Sequence, residues 1–251
     1  MKRLFISLAI LAGISLSSCN DSFLEKTPVT DLTENNAFNS YDNFKAFMWP
    51  CYEMFTNNTI RTSLQGFGQD GQYKGDMAAG YFQQKYESGY NEFAYQTVAS
   101  VASGNGWDFK SFIRRVNIML SHIDNSSMTE AQKDHWRAVG YFFHSFWYME
   151  LIDRFGDVPW VDQVLQEDSP EAYGPRVDRK TVADKVLERL QWAEQNIGNF
   201  TSQDGDNTIN QDCVRAVISR FGLREGTWRK YHELGDYDTY LQESVRASEL
   251  L

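Results

Sequence analysis

Apolar residues recur at intervals of three and four along most of the chain, a spacing that places them on one face of an α-helix. The clearest runs are residues 107–125 and 129–155, which are rich in aromatic and aliphatic side chains. The same spacing appears near residue 41 and three more times before the C-terminus. The pattern therefore predicts an all-α chain with helices at residues 41–55, 107–125, 129–155, 179–197, 211–231 and, from about residue 237, 237–251.

Local signals mark where these helices begin and end. Thr129 and Gln132 form a capping box, in which two side chains satisfy backbone N–H groups that the first turn leaves free. Pro50 should kink or divide the first helix, because proline removes a backbone donor. Gly156 offers a stop for the helix that follows Thr129. Further boundaries are predicted at Ser40, Asp178, Gly198 and either Asp236 or Asp238.

Two polar connections separate the helices of the second half. Residues 157–178 contain three prolines and predict a connector with a brief extended piece at 158–161, and residues 199–210 predict a polar loop. Helices joined in this way pair with their neighbours, and stacked pairs are typical of tetratricopeptide-like solenoids. No clean consensus repeat is present, so the spacing alone gives only weak support to a tetratricopeptide-like arrangement.

Residues 57–106 interrupt the helical pattern with a long irregular excursion. This stretch holds 8 of the 17 glycines together with eight aromatic residues. Loops of this length are uncommon unless they are functional or disordered, and the aromatic content argues against plain disorder. The excursion is therefore the first place to look for a binding surface.

The aromatic rings of the excursion suit a sugar ligand, because sugar rings present apolar C–H faces that lie against aromatic planes. A few polar side chains beside such rings would fix the hydroxyl groups. The alternative is that most of these rings pack the excursion onto the helices. The candidate ligand contacts are Tyr73, Asp76, Tyr81, Phe82 and Tyr90.

The N-terminus has the layout of an export signal. Lys2 and Arg3 precede an apolar stretch from Leu4 to Leu16, and small residues follow it. Leu16-Ser-Ser-Cys19 resembles the bacterial lipobox, in which the cysteine thiol is acylated; an ordinary signal peptide is the alternative. The predicted organisation is a signal peptide at 1–18, an extended tether at 19–39 and a helical domain at 40–251.

The charge of the chain argues against a nucleic-acid partner. The sequence has 24 basic and 34 acidic residues, a net charge of −10, whereas phosphate binding needs a basic surface. Cleavage before Cys19 would leave 22 basic residues against 34 acidic ones, a net charge of −12. A cationic membrane-binding surface is disfavoured for the same reason.

Motifs for catalysis, metals and cofactors are weak. The two cysteines after Cys19, Cys51 and Cys213, indicate no disulfide framework, although one bridge between them stays open. A GxGxxG run starts at Gly66 but lacks the strand and helix of a nucleotide site. The acidic residues at 204–212 do not form the EF-hand pattern of a calcium loop, so a solvated loop is favoured there. A glycosidase carboxylate pair among the many acidic residues is not favoured either. No metal, cofactor or catalytic residue is predicted, and the four histidines are interpreted as ordinary surface or helix residues.

Several segments together resemble the SusD/RagB family of Bacteroidetes surface lipoproteins. Cys19 followed by Phe23-Leu24 and Pro28 is similar to the family's lipidated start, and Phe112 to Asn117 is similar to its Ile-Arg helix. The most specific match runs from Arg137 to Phe143 and on to the turn Gly156-Asp-Val-Pro159. Departures are Val116, Val139 and Gly140, where the family usually has other residues.

The resemblance implies a tetratricopeptide-containing scaffold, anchored in the outer membrane by its N-terminal lipid and exposed at the cell surface. It implies capture of a glycan or another nutrient for a SusC-like, TonB-dependent outer-membrane transporter, without catalysis. Family members are considerably longer, so the chain should correspond to their N-terminal portion. Two other functions remain open: a helical-repeat scaffold that binds only protein, and an anchored glycoside hydrolase.

Overall fold

In a computed structural model of the chain, the structure describes residues 37–55 and 110–251. These ranges are helical, and the only β-type pairing within them is one antiparallel bridge between Val158 and Val177. The all-α prediction is confirmed for these ranges. Their seven α-helices are α1 (Tyr41–Met48), α2 (Lys110–His122), α3 (Glu130–Phe155), α4 (Arg179–Asn196), α5 (Thr201–Asp204), α6 (Gln211–Tyr231) and α7 (Tyr237–Glu249).

The predicted boundaries agree closely with these helices. Thr129 and Gln132 form the capping box of α3, and Gly156 ends that helix with a φ of 69°. Ser40 and Asp178 accept hydrogen bonds from the first turns of α1 and α4. Pro50 divides the first helix, since α1 gives way to a 3-10 helix at Trp49–Phe55.

Two boundary predictions were wrong in detail. Helix α4 ends at Asn196, with Ile197 rather than Gly198 at its cap. The polar loop predicted at 199–210 contains α5, a single turn. The boundary predicted at Asp236 is confirmed, although Asp236 has a left-handed φ of 59° and makes no side-chain cap. Its carboxylate instead accepts a 2.7 Å hydrogen bond from Arg229.

Successive long helices pack as antiparallel pairs. Along α3 and α4, Tyr141 contacts Trp192 whereas Ser145 lies near the carbonyl of Val186, so the residue numbers run in opposite directions. Helices α2 and α3 pair in the same way, since Phe112 contacts Trp147 and Met119 lies near Gly140. Helices α6 and α7 do so too, with Gly222 near Ser244 and Gly226 near Leu241, and α4 also contacts α6. This stacking of helix pairs is the predicted tetratricopeptide-like arrangement.

Helix α3 forms the centre of the core. Fifteen of its 26 residues are buried, so the helix has no polar face of the usual width. Trp136 and Trp147 are both buried there, as the apolar spacing predicted. None of the described helices combines the length and hydrophobicity needed to cross a bilayer.

Candidate functional site

The ligand contacts that the sequence predicts lie outside the described residues. This holds for all five candidates in the excursion and for the lipidation site, Cys19. They stay predictions. The described residues contain a different candidate, a cavity on the side of α3 that faces the loop between α4 and α6.

This cavity has a volume of about 290 Å³, at the small end of the range for ligand sites. His135 of α3 lines it together with residues of the segment 197–212, which includes α5 and the first turn of α6. The lining residues are His135, Ile197, Gly198, Asn199, Phe200, Thr201, Asp204, Thr208, Ile209, Asn210, Gln211 and Asp212. The wall thus mixes one aromatic ring with many short polar side chains.

Asp204 ties the loop to α1 at the edge of the cavity. Its carboxylate accepts a hydrogen bond from the Tyr41 hydroxyl and lies 3.1 Å from the Lys45 ammonium group. The Asp204 side chain is only 4% exposed. The adjacent Gln203 carbonyl accepts a 3.3 Å hydrogen bond from Lys45. These contacts hold the loop against a helix more than 150 residues earlier in the chain.

The buried contact with Asp204 shifts the pKa of Tyr41. Burial and the Asp204 carboxylate together raise the pKa of Tyr41 far above the ordinary value of 10.0. A second tyrosine, Tyr52, accepts a 3.1 Å hydrogen bond from the backbone N–H of Ile209, and burial raises its pKa to about 12. Both tyrosines therefore stay protonated and anchor the two ends of the loop.

His135 is a neutral imidazole on the cavity wall. Its Nδ1 lies 3.1 Å from the Gly198 carbonyl oxygen, which can only accept, so Nδ1 carries the proton. Burial lowers the pKa of His135 below 6.5, although the Asp204 carboxylate opposes that shift. The other ring nitrogen, Nε2, lies 3.9 Å from Asp204 and is left as an acceptor.

Phe200 supplies the aromatic surface of the site. Its ring packs edge-on against His135 with centroids 4.7 Å apart and lies 5.1 Å from the ring of Tyr41. Phe200 remains partly exposed, whereas Tyr41 and His135 are buried. An apolar ring beside several hydrogen-bonding groups is the usual composition of a small-ligand site.

Sequence reasoning placed Asp204 in a solvated loop, with a calcium site as the alternative, and the structure corrects both ideas. The Asp204 side chain is buried, while Asp206, Asn207 and Asp212 are exposed. No group of three or more potential metal ligands occurs among the described residues. The apolar spacing around Tyr41 predicts only that its ring packs in the core. It does not indicate that the Tyr41 hydroxyl donates to Asp204.

The interpretation of the histidines as surface or helix residues holds for two of them in one respect. His135 and His144 both lie on α3, but both are buried and neither is a surface residue. The two later cysteines, Cys51 and Cys213, are unbonded thiols, and burial raises the pKa of Cys51 to about 12.

Comparison with known proteins identifies what the chain is similar to. The family model SusD-like, described as starch-binding and associating with the outer membrane, matches residues 22–223. No curated protein matches the chain.

Solved structures share the fold at low sequence identity. A SusD homolog from Bacteroides thetaiotaomicron VPI-5482 has a TM-score of 0.61 at 15% identity, and the match covers 88% of this chain and 42% of that one. A SusD-like protein from Bacteroides fragilis NCTC 9343 has a TM-score of 0.58 at 17% identity, covering 88% and 41%. A SusD-like carbohydrate binding protein from Bacteroides vulgatus ATCC 8482 has a TM-score of 0.55 at 17% identity, covering 83% and 45%. The chain spans less than half the length of each.

Proposed function

The chain belongs to the SusD-like family, and we propose that it is a non-enzymatic, lipid-anchored protein of the outer membrane that binds a glycan. In this proposal it passes the glycan to a TonB-dependent, SusC-like transporter. The observation that carries the proposal is the family match over residues 22–223.

The cavity beside α3 supports the binding part of this proposal. It combines the Phe200 ring with the exposed carboxylate of Asp212, a mixture suited to a sugar ring and its hydroxyl groups. The excursion residues Tyr73, Asp76, Tyr81, Phe82 and Tyr90 remain proposed contacts.

Binding is tested by electrophoresis of the purified chain in native gels that contain soluble polysaccharides. We expect at least one polysaccharide to retard the chain relative to a gel without polysaccharide. Phe200→Ala should weaken the retardation, while Trp192→Ala, a partly exposed aromatic on α4 away from the cavity, serves as the matched control. A chain that no polysaccharide retards would contradict glycan binding and favour a scaffold that binds only protein.

Lipid anchoring is tested at Cys19. We expect the wild-type chain to incorporate an alkyne-labelled palmitate and to fractionate with outer membranes. Cys19→Ala should lose the label and the membrane association, because a covalent acyl chain contributes roughly 0.8 kcal/mol per buried CH₂. Cys213→Ala is the control, since that cysteine lies in α6. A labelled, membrane-bound Cys19→Ala chain would contradict the anchor.

The transporter partner is tested by purification from native outer membranes through a C-terminal tag. Recovery of a large TonB-dependent barrel with the chain supports the uptake role. The purified chain is also assayed for hydrolysis of glycans. Hydrolysis that is lost on replacement of one carboxylate would identify a glycoside hydrolase and overturn the non-enzymatic part of the proposal.

A further inference from the structure

The hydroxyl donors of the cavity wall are already used within the protein. The Thr201 hydroxyl donates to the Asn199 side chain at 2.8 Å, and the Thr208 hydroxyl donates to the Gly205 carbonyl at 3.0 Å. The side-chain amide of Gln211 donates to the Glu194 carbonyl at 2.9 Å. Because the hydroxyl protons of Thr201 and Thr208 are donated within the protein, these two oxygens are left to accept hydrogen bonds from a ligand.

The strong acceptor that remains on the wall is a carboxylate. Asp212 is exposed there, whereas the buried carboxylate of Asp204 is already bound by Tyr41 and Lys45. The wall also contains Asn199 and Asn210, whose amides are neutral groups that can donate as well as accept. A ligand that fits this wall must bring donors of its own, as the hydroxyl groups of an uncharged sugar do.

The cations near the cavity are paired with acidic side chains. No lysine or arginine is among the lining residues in the described part of the chain. Lys45 lies 3.1 Å from Asp204, and Arg215 lies 3.0 Å from Glu194 and 3.2 Å from Asp212. An anionic ligand would therefore face the negative charge of Asp212 without an unpaired lining cation to offset it, and like charges repel.

We propose that this cavity selects an uncharged, hydroxyl-rich sugar unit and rejects uronic and sulfated sugars. The inference rests on the proposed glycan binding and names the class of glycan that this site takes. Phe200 provides the apolar platform, and the exposed carboxylate of Asp212 accepts hydrogen bonds from hydroxyl groups.

The test uses soluble polysaccharides in matched pairs that share a backbone and differ in charge. Starch is compared with carboxymethyl starch, hydroxyethyl cellulose with carboxymethyl cellulose, and galactan with polygalacturonate, all by retardation in native gels. We expect the neutral member of a pair to retard the chain and the acidic member to leave its mobility unchanged.

Two variants connect the selectivity to this cavity. Asp212→Asn should weaken retardation by the neutral polysaccharide about tenfold, the loss expected for one hydrogen bond to a charged acceptor. Asp238→Asn is the matched control, because Asp212 and Asp238 are both exposed acidic residues in the first turn of a helix. Phe200→Ala, with its fold checked by circular dichroism, should weaken retardation at least as strongly.

The possible outcomes separate the two proposals. Retardation by an acidic polysaccharide that Phe200→Ala weakens would overturn the selectivity and leave glycan binding intact. If a neutral polysaccharide retards the two variants Phe200→Ala and Asp212→Asn as strongly as the wild type, the sugar binds elsewhere. That result would overturn the assignment of this cavity. The absence of retardation by any polysaccharide would overturn glycan binding itself, and this inference with it.

Discussion

Arg229 and Glu225 form an ion pair inside the protein, with the guanidinium Nε 2.9 Å from the carboxylate and both side chains at most 2% exposed. The pair lies one turn apart on α6. Arg229 also donates to the Tyr240 hydroxyl of α7 at 3.0 Å, and Arg179 of α4 reaches the same Glu225 at 2.7 Å. One buried charge pair thus joins three helices.

Arg229→Met should therefore destabilise the protein strongly. Removing one partner leaves a buried carboxylate with less compensation, a change that costs about 3–5 kcal/mol in the free energy of unfolding. We expect the lower end of that range, because Arg179 still contacts Glu225. Urea unfolding followed by circular dichroism measures the loss.

The control for this variant is Lys180→Met, which removes an exposed ion pair with Asp236 in the same region. Its unfolding midpoint should stay close to that of the wild type, since exposed pairs contribute little. Equal losses in the two variants would mean that burial of the Arg229 pair has no special importance.

Gly222 permits the close approach of α6 and α7. A Cβ at this position would lie 2.5 Å from the Tyr240 carbonyl oxygen and 2.9 Å from the Ser244 nitrogen, both backbone atoms. Gly222→Ala should destabilise the protein by about 1–2 kcal/mol, because the clash exceeds the gain of about 1 kcal/mol in helix propensity. Thermal unfolding measures the change.

Gly140→Ala is the matched comparison within α3. There a Cβ would lie 2.6 Å from the terminal methyl group of Met119 and 2.9 Å from a methyl group of Leu120, which are ends of flexible side chains. We expect a smaller loss than at Gly222. A larger loss at Gly140 would show that side-chain crowding, rather than backbone contact, limits these helix pairs.

The sequence predicted the helices well because their signals are local. The apolar spacing, the Thr129 capping box and the Gly156 stop each lie within a few residues of the boundary that they define. Asp204 shows where this approach fails. Its neighbours are polar, so a solvated loop was the natural interpretation, yet Tyr41 buries it from a distance of 163 residues in sequence.

Asp236 marks the start of α7 as predicted, but the role of its side chain depends on a distant contact. An aspartate just before a helix is a strong capping signal. In the structure Arg229, a buried cation seven residues earlier, takes its carboxylate. Ion pairs and hydrogen bonds between distant segments do not change the local spacing of apolar residues, so the sequence pattern does not predict them. The candidate cavity depends on one such contact, between Asp204 and Tyr41, whereas the excursion candidates rest on composition alone.

Glu150 should make the protein less stable as the pH rises. Burial raises the pKa of Glu150 from 4.5 to about 7, helped by the Asp153 carboxylate and opposed by nearby arginines. Between these values the folded state holds a proton that the unfolded state has lost, so raising the pH favours unfolding. Glu150→Gln removes this penalty.

We expect Glu150→Gln to exceed the wild type in unfolding free energy by on the order of 2 kcal/mol at about pH 8, and by much less at about pH 5. Urea titrations at both pH values measure the difference. Glu188→Gln, an exposed glutamate on α4, is the control. A gain at pH 8 that persists unchanged at pH 5 would contradict the protonation mechanism.

His144 should act in the opposite direction on acidification. Its Nδ1 accepts a 2.9 Å hydrogen bond from Arg189, and its Nε2 donates to the Val161 carbonyl at 2.9 Å, so the ring is neutral. Burial and the Arg189 charge hold the pKa of His144 well below 6.5. Below that pH the unfolded histidine takes up a proton that the folded one refuses, and stability falls as the pH falls.

The measurement uses the Glu150→Gln variant, in which the opposing effect of Glu150 is absent. Its unfolding free energy should decrease between about pH 7.5 and 5.5, with His135 contributing in the same sense because burial also lowers its pKa. In the wild type, the ring proton signals of His144, assigned by their absence in His144→Gln, should not shift over this range. A signal that titrates with a midpoint near 6.5 would mean that Arg189 does not hold the ring neutral, because an imidazolium cannot accept the guanidinium hydrogen bond.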